Sequence, residues 1–493
     1  VSLDPLRRWE QRFGALPLPS PLIWALLVGA FLGFGVLMGR ATGREAVDTL
    51  ASSRAPLKVL VAQGSASAAP TSGSTAAATP PPAPEAETTP EASPAPPAPS
   101  KASTPAAGKT PSSSSSPTSS GSSGGSGESS TGGGGSSSKG SAAKLPPIKH
   151  VFVVMLDDEP YATAFGPASA AKYLTGTLEK QGELLLRYYA VAHEGLGDGI
   201  ALLSGQGPTE ATAADCPTYS GITPAGSGSD GQVLGQGCVY PSSTQTLMGQ
   251  LTAKHLAWKA YVEGLDEGAG TASACAHPVS GAADPSAAVL APGASAPGYQ
   301  TWRNPLVYFG SIAGSPVCMS DDVGTGALKG DLASEKSTAS FSYIAPGPCD
   351  DGNPTPCAPG RVAGMVAAEG FLKKVVPEIL AAKAYKQNGL LAITVDDAPA
   401  TGEYADSSSC CGQPHFPNLP AATGAAKLSP AGGGQVGLLL LSPFIEKGGG
   451  LVQETYDHFS LLSTIEQLFG LEKLGYAGLA EVKSFSASLF SGG

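Results

Sequence analysis

Between Gly64 and Lys144 the chain contains no Val, Leu, Ile, Met, Phe, Tyr or Trp. Nothing in that stretch can be buried to offset the entropy of ordering it, which excludes a packed core there. Its first half (PAPEAETTPEASPAPPAPS) favours extended polyproline geometry and its second (SSGSSGGSGESSTGGGGSSS) a flexible coil. About 80 such residues span roughly 50 Å on average. Residues 64–146 therefore read as a disordered stalk. Charge is scarce as well: only 14% of residues are charged, with 29 Lys and Arg against 40 Asp and Glu. No basic patch or stripe stands out, which argues against a nucleic-acid partner.

Leu22 to Met38 (LIWALLVGAFLGFGVLM) carries no charge at all. It is about the shortest apolar run that crosses a bilayer. Arg7, Arg8 and Arg12 precede it, while Arg40 and Arg44 follow, diluted by Glu45 and Asp48. The bias leans to an inside N-terminus. The reading is a short cytoplasmic segment over residues 1–21, a single transmembrane helix over 22–38, and everything beyond it outside the cell membrane. A cleaved signal peptide is the rival, although GRATGREA is a poor cleavage site.

Cysteine is absent from the first 215 residues; all eight lie between Cys216 and Cys411. No two are spaced C-x-x-C, so a zinc knuckle has no support. An even number confined to one region beyond an anchor points to disulfides in an oxidising compartment. Cys216–Cys238 and Cys349–Cys357 are the natural local pairs. The adjacent Cys410 and Cys411 are expected to reach different partners, because a bridge between chain neighbours is strained.

Residues 147–493 hold the globular part. Apolar runs at Val151–Leu156, Trp258–Val262, Phe341–Ile344, Leu390–Val395 and Val436–Leu441 read as strands. Helical patterns fall at Ala170–Gln181, Thr244–Lys254, Val362–Ala382 and Phe459–Phe469. Strands alternating with helices predict an α/β fold: a doubly wound, mostly parallel sheet flanked by helices. The Gly-, Ala- and Pro-rich region from about 206 to 335 reads as insertions stapled by disulfides.

Two of these strands end alike. VVMLDD closes on Asp157 and Asp158, and AITVDD on Asp396 and Asp397. Parallel strands deliver such ends to one edge, where ligands of open sheets bind. Four converging carboxylates do not all stay ionised unaided, and one divalent cation resolves the conflict. Oxygen ligation alone favours Mg, Mn or Ca, and a histidine tilts the choice towards Zn or Fe. Either pair alone is better explained as a turn former or helix cap; the two together, on strands this apolar, favour a metal.

The stretch IKHVFVVMLDDEPYATAFG resembles the opening motif of the phosphoesterase family of bacterial acid phosphatases and C-type phospholipases. YLTGTLEKQGELLLRYYAVAH, IALLSGQ, the second aspartate pair, GGGQVGLLLLSPFI and DHFSLLSTIEQLFGL follow in that family's order. The resemblance implies an alkaline-phosphatase-like sheet with metal at the strand ends. It places Asp157 at the family's metal-binding Glu, Asp158 at its Asn, and Asp396 and Asp397 at its second acidic pair. His458 falls at a histidine that binds metal or contacts phosphate, and Asn353 and Arg303 fall in the substrate-facing motifs. Asn353 replaces a histidine there.

One departure is chemical. Where close members carry a serine nucleophile, HEGLGDG has Gly195, with Asp198 at the Asn position and His193 retained. Glycine has no oxygen with which to attack phosphorus. His193, Asp198 and Arg303 are then the candidate catalytic groups, and His458 and Asn353 the substrate-binding ones. Three readings stay open. The domain is a membrane-anchored, metal-dependent hydrolase of small phosphorylated or envelope-derived substrates, or an inactive relative that binds at the envelope, or a display module whose stalk is the functional part.

Overall fold

The computed structural model describes residues 145–490, apart from 267–273, 289, 292, 422, 424–430 and 449. The expected membrane helix and the stalk lie outside the described residues. Among the described residues no helix is long and apolar enough to cross a membrane.

Eight strands form the main sheet: β1 (His150–Leu156), β2 (Glu183–Leu185), β3 (Trp258–Val262), β4 (Asp322–Gly324), β5 (Phe341–Ala345), β6 (Gly389–Val395), β7 (Leu438–Leu441) and β8 (Gly450–Val452). Their order is β8-β2-β7-β6-β1-β5-β3-β4. Only β7 runs against the others. The centre is parallel because β1, β5 and β6 are buried over their whole length. Such continuous apolar runs suit a sheet covered on both faces. Each fully buried Val or Leu there contributes about 1.5–3 kcal/mol.

The helices include α1 (Gly195–Ser204), α2 (Leu247–Ala253), α3 (Met365–Ala381) and α4 (His458–Phe469). Asp457 caps α4, its side chain accepting from the Ser460 amide. The pattern at Ala170–Gln181 does not give one α-helix. It breaks into a wide turn at Leu174–Leu178 and a tight one at Glu179–Gln181, because Gly176 and its threonine neighbours are weak helix formers. The region read as insertions contributes β3 and β4 to the sheet itself.

The bridges are Cys216–Cys238, Cys275–Cys318, Cys349–Cys357 and Cys410–Cys411. The last corrects the sequence expectation. Neighbouring cysteines are joined to each other, with Cys411 taking a left-handed backbone (φ 61°).

Candidate active site at the strand tips

The register of β1 on β6 sets Leu156 opposite Val395. Asp157 and Asp396 therefore leave the sheet side by side, and the Asp396 amide donates to the Leu156 carbonyl at 3.1 Å. Beneath them lies Arg303, on the short turn Thr301–Arg303. Its Nη1 donates to Asp157 Oδ1 at 2.8 Å and to Asp396 Oδ2 at 2.6 Å, and its Nη2 to the Met155 carbonyl at 2.8 Å. The other oxygens are also held. Asp396 Oδ1 accepts from the Asp158 and Asp397 amides at 3.2 and 2.8 Å, and Asp157 Oδ2 from Asn353 Nδ2 at 2.8 Å. Burial opposes the arginine's charge, but Asp157, Asp396 and Asp351 override it and keep the pKa above its ordinary value. Part of the positive charge that the two aspartates require is thus built into the chain.

It is not enough. A cavity of about 390 Å³ opens in front of the aspartates. Six carboxylates line it (Asp157, Asp158, Glu194, Asp215, Asp397 and Glu403), and no lysine or arginine does so among the described residues. Burial, then Asp157, Glu194 and Glu159, push the Asp158 pKa up to about 7. Asp397 is raised well above the carboxylate range by burial and then by Asp396, Asp198, Asp157 and Asp158. Asp396 is raised likewise, by burial and Asp157 against the pull of Arg303. Such a wall holds protons or gathers a cation.

Three of its acids also sit in left-handed backbone: Asp158 (φ 49°), Glu194 (φ 69°) and Asp215 (φ 50°). Non-glycine residues are rarely found there, and strain of this kind clusters at functional sites.

The sequence candidates separate into two layers. Asp157, Asp158, Asp397, Asn353 and Gly195 face the cavity. Gly195 opens α1, and a Cβ on it would lie 2.3 Å from Asp396 Oδ2. The Asp396 carboxylate thus fills the volume in which a side-chain nucleophile would begin. His193 stands at the margin, with Nδ1 2.9 Å from the Ala398 carbonyl and Nε2 2.8 Å from Ser407 Oγ.

Asp198 and His458 are fully buried behind this layer. Asp198 Oδ1 accepts from the Val191 and Ala192 amides at 2.7 and 3.3 Å. His458 pairs Nε2 with the Asp396 carbonyl and Nδ1 with the Tyr188 hydroxyl, both at 2.8 Å. Burial lowers its pKa to about 4. It is a neutral strut under Asp396 and does not reach the cavity.

Sequence reasoning missed Glu194 and Asp215. Glu194 sits beside the retained His193 and was readable. Asp215 arrives from a distant loop, where it accepts from the Leu196 amide at 3.0 Å, and no motif marks it.

One oxygen from each of Asp157, Asp396 and Asp397 lies within 4.8 Å of the other two. The donors are carboxylates, and both nearby histidines have their nitrogens engaged elsewhere. These residues fit a hard divalent cation.

The model of the Phosphoesterase family matches residues 156–472. No curated protein matches by sequence. Among solved structures, an alkaline phosphatase superfamily protein from Vibrio parahaemolyticus is 9% identical, with 67% of this chain and 69% of that one covered at a TM-score of 0.37. The phosphonate monoester hydrolase of Silicibacter pomeroyi is 10% identical, with 70% and 77% covered at 0.38. The lipoteichoic acid synthase of Listeria monocytogenes is 10% identical, with 71% and 77% covered at 0.35.

Proposed function

Because the chain belongs to the Phosphoesterase family, we propose that its acidic cavity is the site of a divalent-cation-dependent phosphate-ester hydrolase without a side-chain nucleophile. The observation that carries this is a cavity wall of six carboxylates with no lysine or arginine among its described lining residues. Alone, that wall repels a phosphate dianion; loaded with a cation, it attracts one. Asp157, Asp396 and Asp397 would hold the ion, and enzymes of the alkaline phosphatase superfamily are metal-dependent. When bound, such an ion offsets negative charge on the phosphoryl oxygens.

The chain's own residues do the rest. Arg303 fixes Asp157 and Asp396 in one orientation. The Asp158 and Asp397 amides lock the remaining oxygen of Asp396, so the site needs little reorganisation during reaction. Gly195 offers no attacking oxygen, and Ser204 is buried, donating to the Ile200 carbonyl at 2.7 Å. With the usual serine position empty of oxygen, this reading assigns the attack to a water. In this reading Glu194, at the cavity rim with its pKa raised by partial desolvation and then by Asp157, holds a proton at its carboxyl oxygen and passes it to the departing alkoxide. The working place that accompanies this reading is outside the cell membrane, on the tether read from the sequence.

A second reading is favoured by the overlap between Asp396 Oδ2 and the missing side chain of residue 195: a cation-loaded binding module that holds phosphate groups without cleaving them. Incubating the full chain with an aryl phosphate, a phosphodiester and Mg, Mn, Ca or Zn separates the two. Turnover that is abolished by chelation and by Asp397→Asn supports the hydrolase. Cation-dependent binding of inorganic phosphate with no turnover supports the module. Neither binding nor turnover removes both.

A further inference from the structure

Three bridges join distant residues: Cys216–Cys238, Cys275–Cys318 and Cys349–Cys357 are 22, 43 and 8 positions apart. Cys410–Cys411 joins neighbours. A bridge that closes no loop removes almost no freedom from the unfolded chain. Its presence therefore calls for a reason other than holding the fold.

Its surroundings supply one. Both cysteines are partly exposed, so a small reductant can reach them. Cys410 Sγ lies 3.3 Å from the Tyr456 carbonyl oxygen and Cys411 Sγ 3.6 Å from that of Thr455. A disulfide has no proton to give these acceptors, whereas two thiols would each find a partner already in place. A carboxylate oxygen of Asp457 lies within 4.8 Å of both sulfurs. Asp457 is 1% exposed, and its Oδ1 accepts from the amide and hydroxyl of Ser460. Its Oδ2 has no partner. An orphaned buried carboxylate oxygen is costly unless something else comes to it.

We propose that Cys410 and Cys411 form a reversible dithiol–disulfide pair whose reduced form, together with Asp457, binds one thiophilic d¹⁰ cation such as Zn²⁺ or Cd²⁺. A dithiol reductant supplies two electrons and two protons, breaks the S–S bond and leaves as its own disulfide. The cation then displaces both thiol protons to solvent, forming two metal–sulfur bonds and one metal–oxygen bond. Two thiolates and a carboxylate, with a fourth position open, suit a tetrahedral ion. This site shares no side chain with the acidic cavity and does not depend on its chemistry. The other group of two cysteines and a carboxylate among the described residues, Cys275, Cys318 and Asp322, is a poorer candidate. Its bridge closes a long loop and Cys318 is fully buried.

The test is anaerobic titration of the full chain with Cd²⁺, after reduction by a dithiol and removal of the reductant. Readouts are the near-ultraviolet thiolate-to-cadmium band and bound metal per chain. The reduced protein should take up one more Cd²⁺ than the identically treated Cys410→Ser/Cys411→Ser variant, and the oxidised protein should show no such band. Asp457→Asn should weaken this uptake at least tenfold, and the double serine variant should leave cavity-bound Mn²⁺ unchanged. Equal uptake by the reduced protein and the serine variant would overturn the proposal. An undiminished affinity in Asp457→Asn would overturn the carboxylate's part in it.

Discussion

Replacing Gly195 with alanine adds one carbon 2.3 Å from Asp396 Oδ2 and 3.1 Å from Trp302 Cζ3. To regain ordinary contact the carboxylate oxygen retreats by about 1 Å. It cannot retreat freely, because the same oxygen receives Arg303 Nη1 at 2.6 Å in a setting where both side chains are buried. Breaking a buried charge pair costs about 3–5 kcal/mol. Ala gains up to about 1 kcal/mol over Gly in a helix, so the net loss should be about 2–4 kcal/mol. Urea denaturation of the metal-free protein measures it. Gly195→Ser should lose as much and gain no covalent phosphorylation, because Asp396 occupies the space its hydroxyl needs. The penalty should shrink by 1 kcal/mol or more when Arg303→Met is already present, as the freed carboxylate then turns aside. An isolated Gly195→Ala change within about 0.5 kcal/mol of the parent would refute this reasoning.

Arg303→Met should itself cost about 3–5 kcal/mol, with Arg303→Lys intermediate, by the same denaturation. Asn353→Ala removes a hydrogen bond to the buried Asp157 carboxylate and should cost about 1.5–3 kcal/mol. Stability without metal should fall as pH rises. Burial lifts Asp158 and Glu159 from ordinary values near 4 to about 7, and Asp351 to about 8, so the folded state binds more protons between pH 4 and 8. Less stability at higher pH follows from that sign. Thermal melts from pH 4 to 8 in chelator test it, and a flat or rising profile contradicts it.

The paired aspartates were legible because both strands are apolar to their last residue and then abruptly charged, and the parallel register did the rest. The chain's own counter-ion was harder to read. Arg303 was visible as a candidate, but its place between Asp157 and Asp396 depends on a turn nearly 150 residues from β1. His458 and Asp198 carried motif positions yet proved fully buried, since a motif records adjacency to the site and not which layer a side chain occupies. Asp215 had no signal, because its loop position becomes meaningful only once Leu196 donates to it. The short strands β2, β4 and β8 have three residues each, too few to carry an alternating pattern.

Crystals of the protein soaked in Mn²⁺ and measured at the manganese absorption edge test the central claim most directly. The account predicts one anomalous peak per chain at the cavity, in contact with carboxylate oxygens of Asp157, Asp396 and Asp397, with the Arg303 guanidinium still paired to Asp157 and Asp396. No peak there, or Arg303 expelled to make room for one, would contradict it.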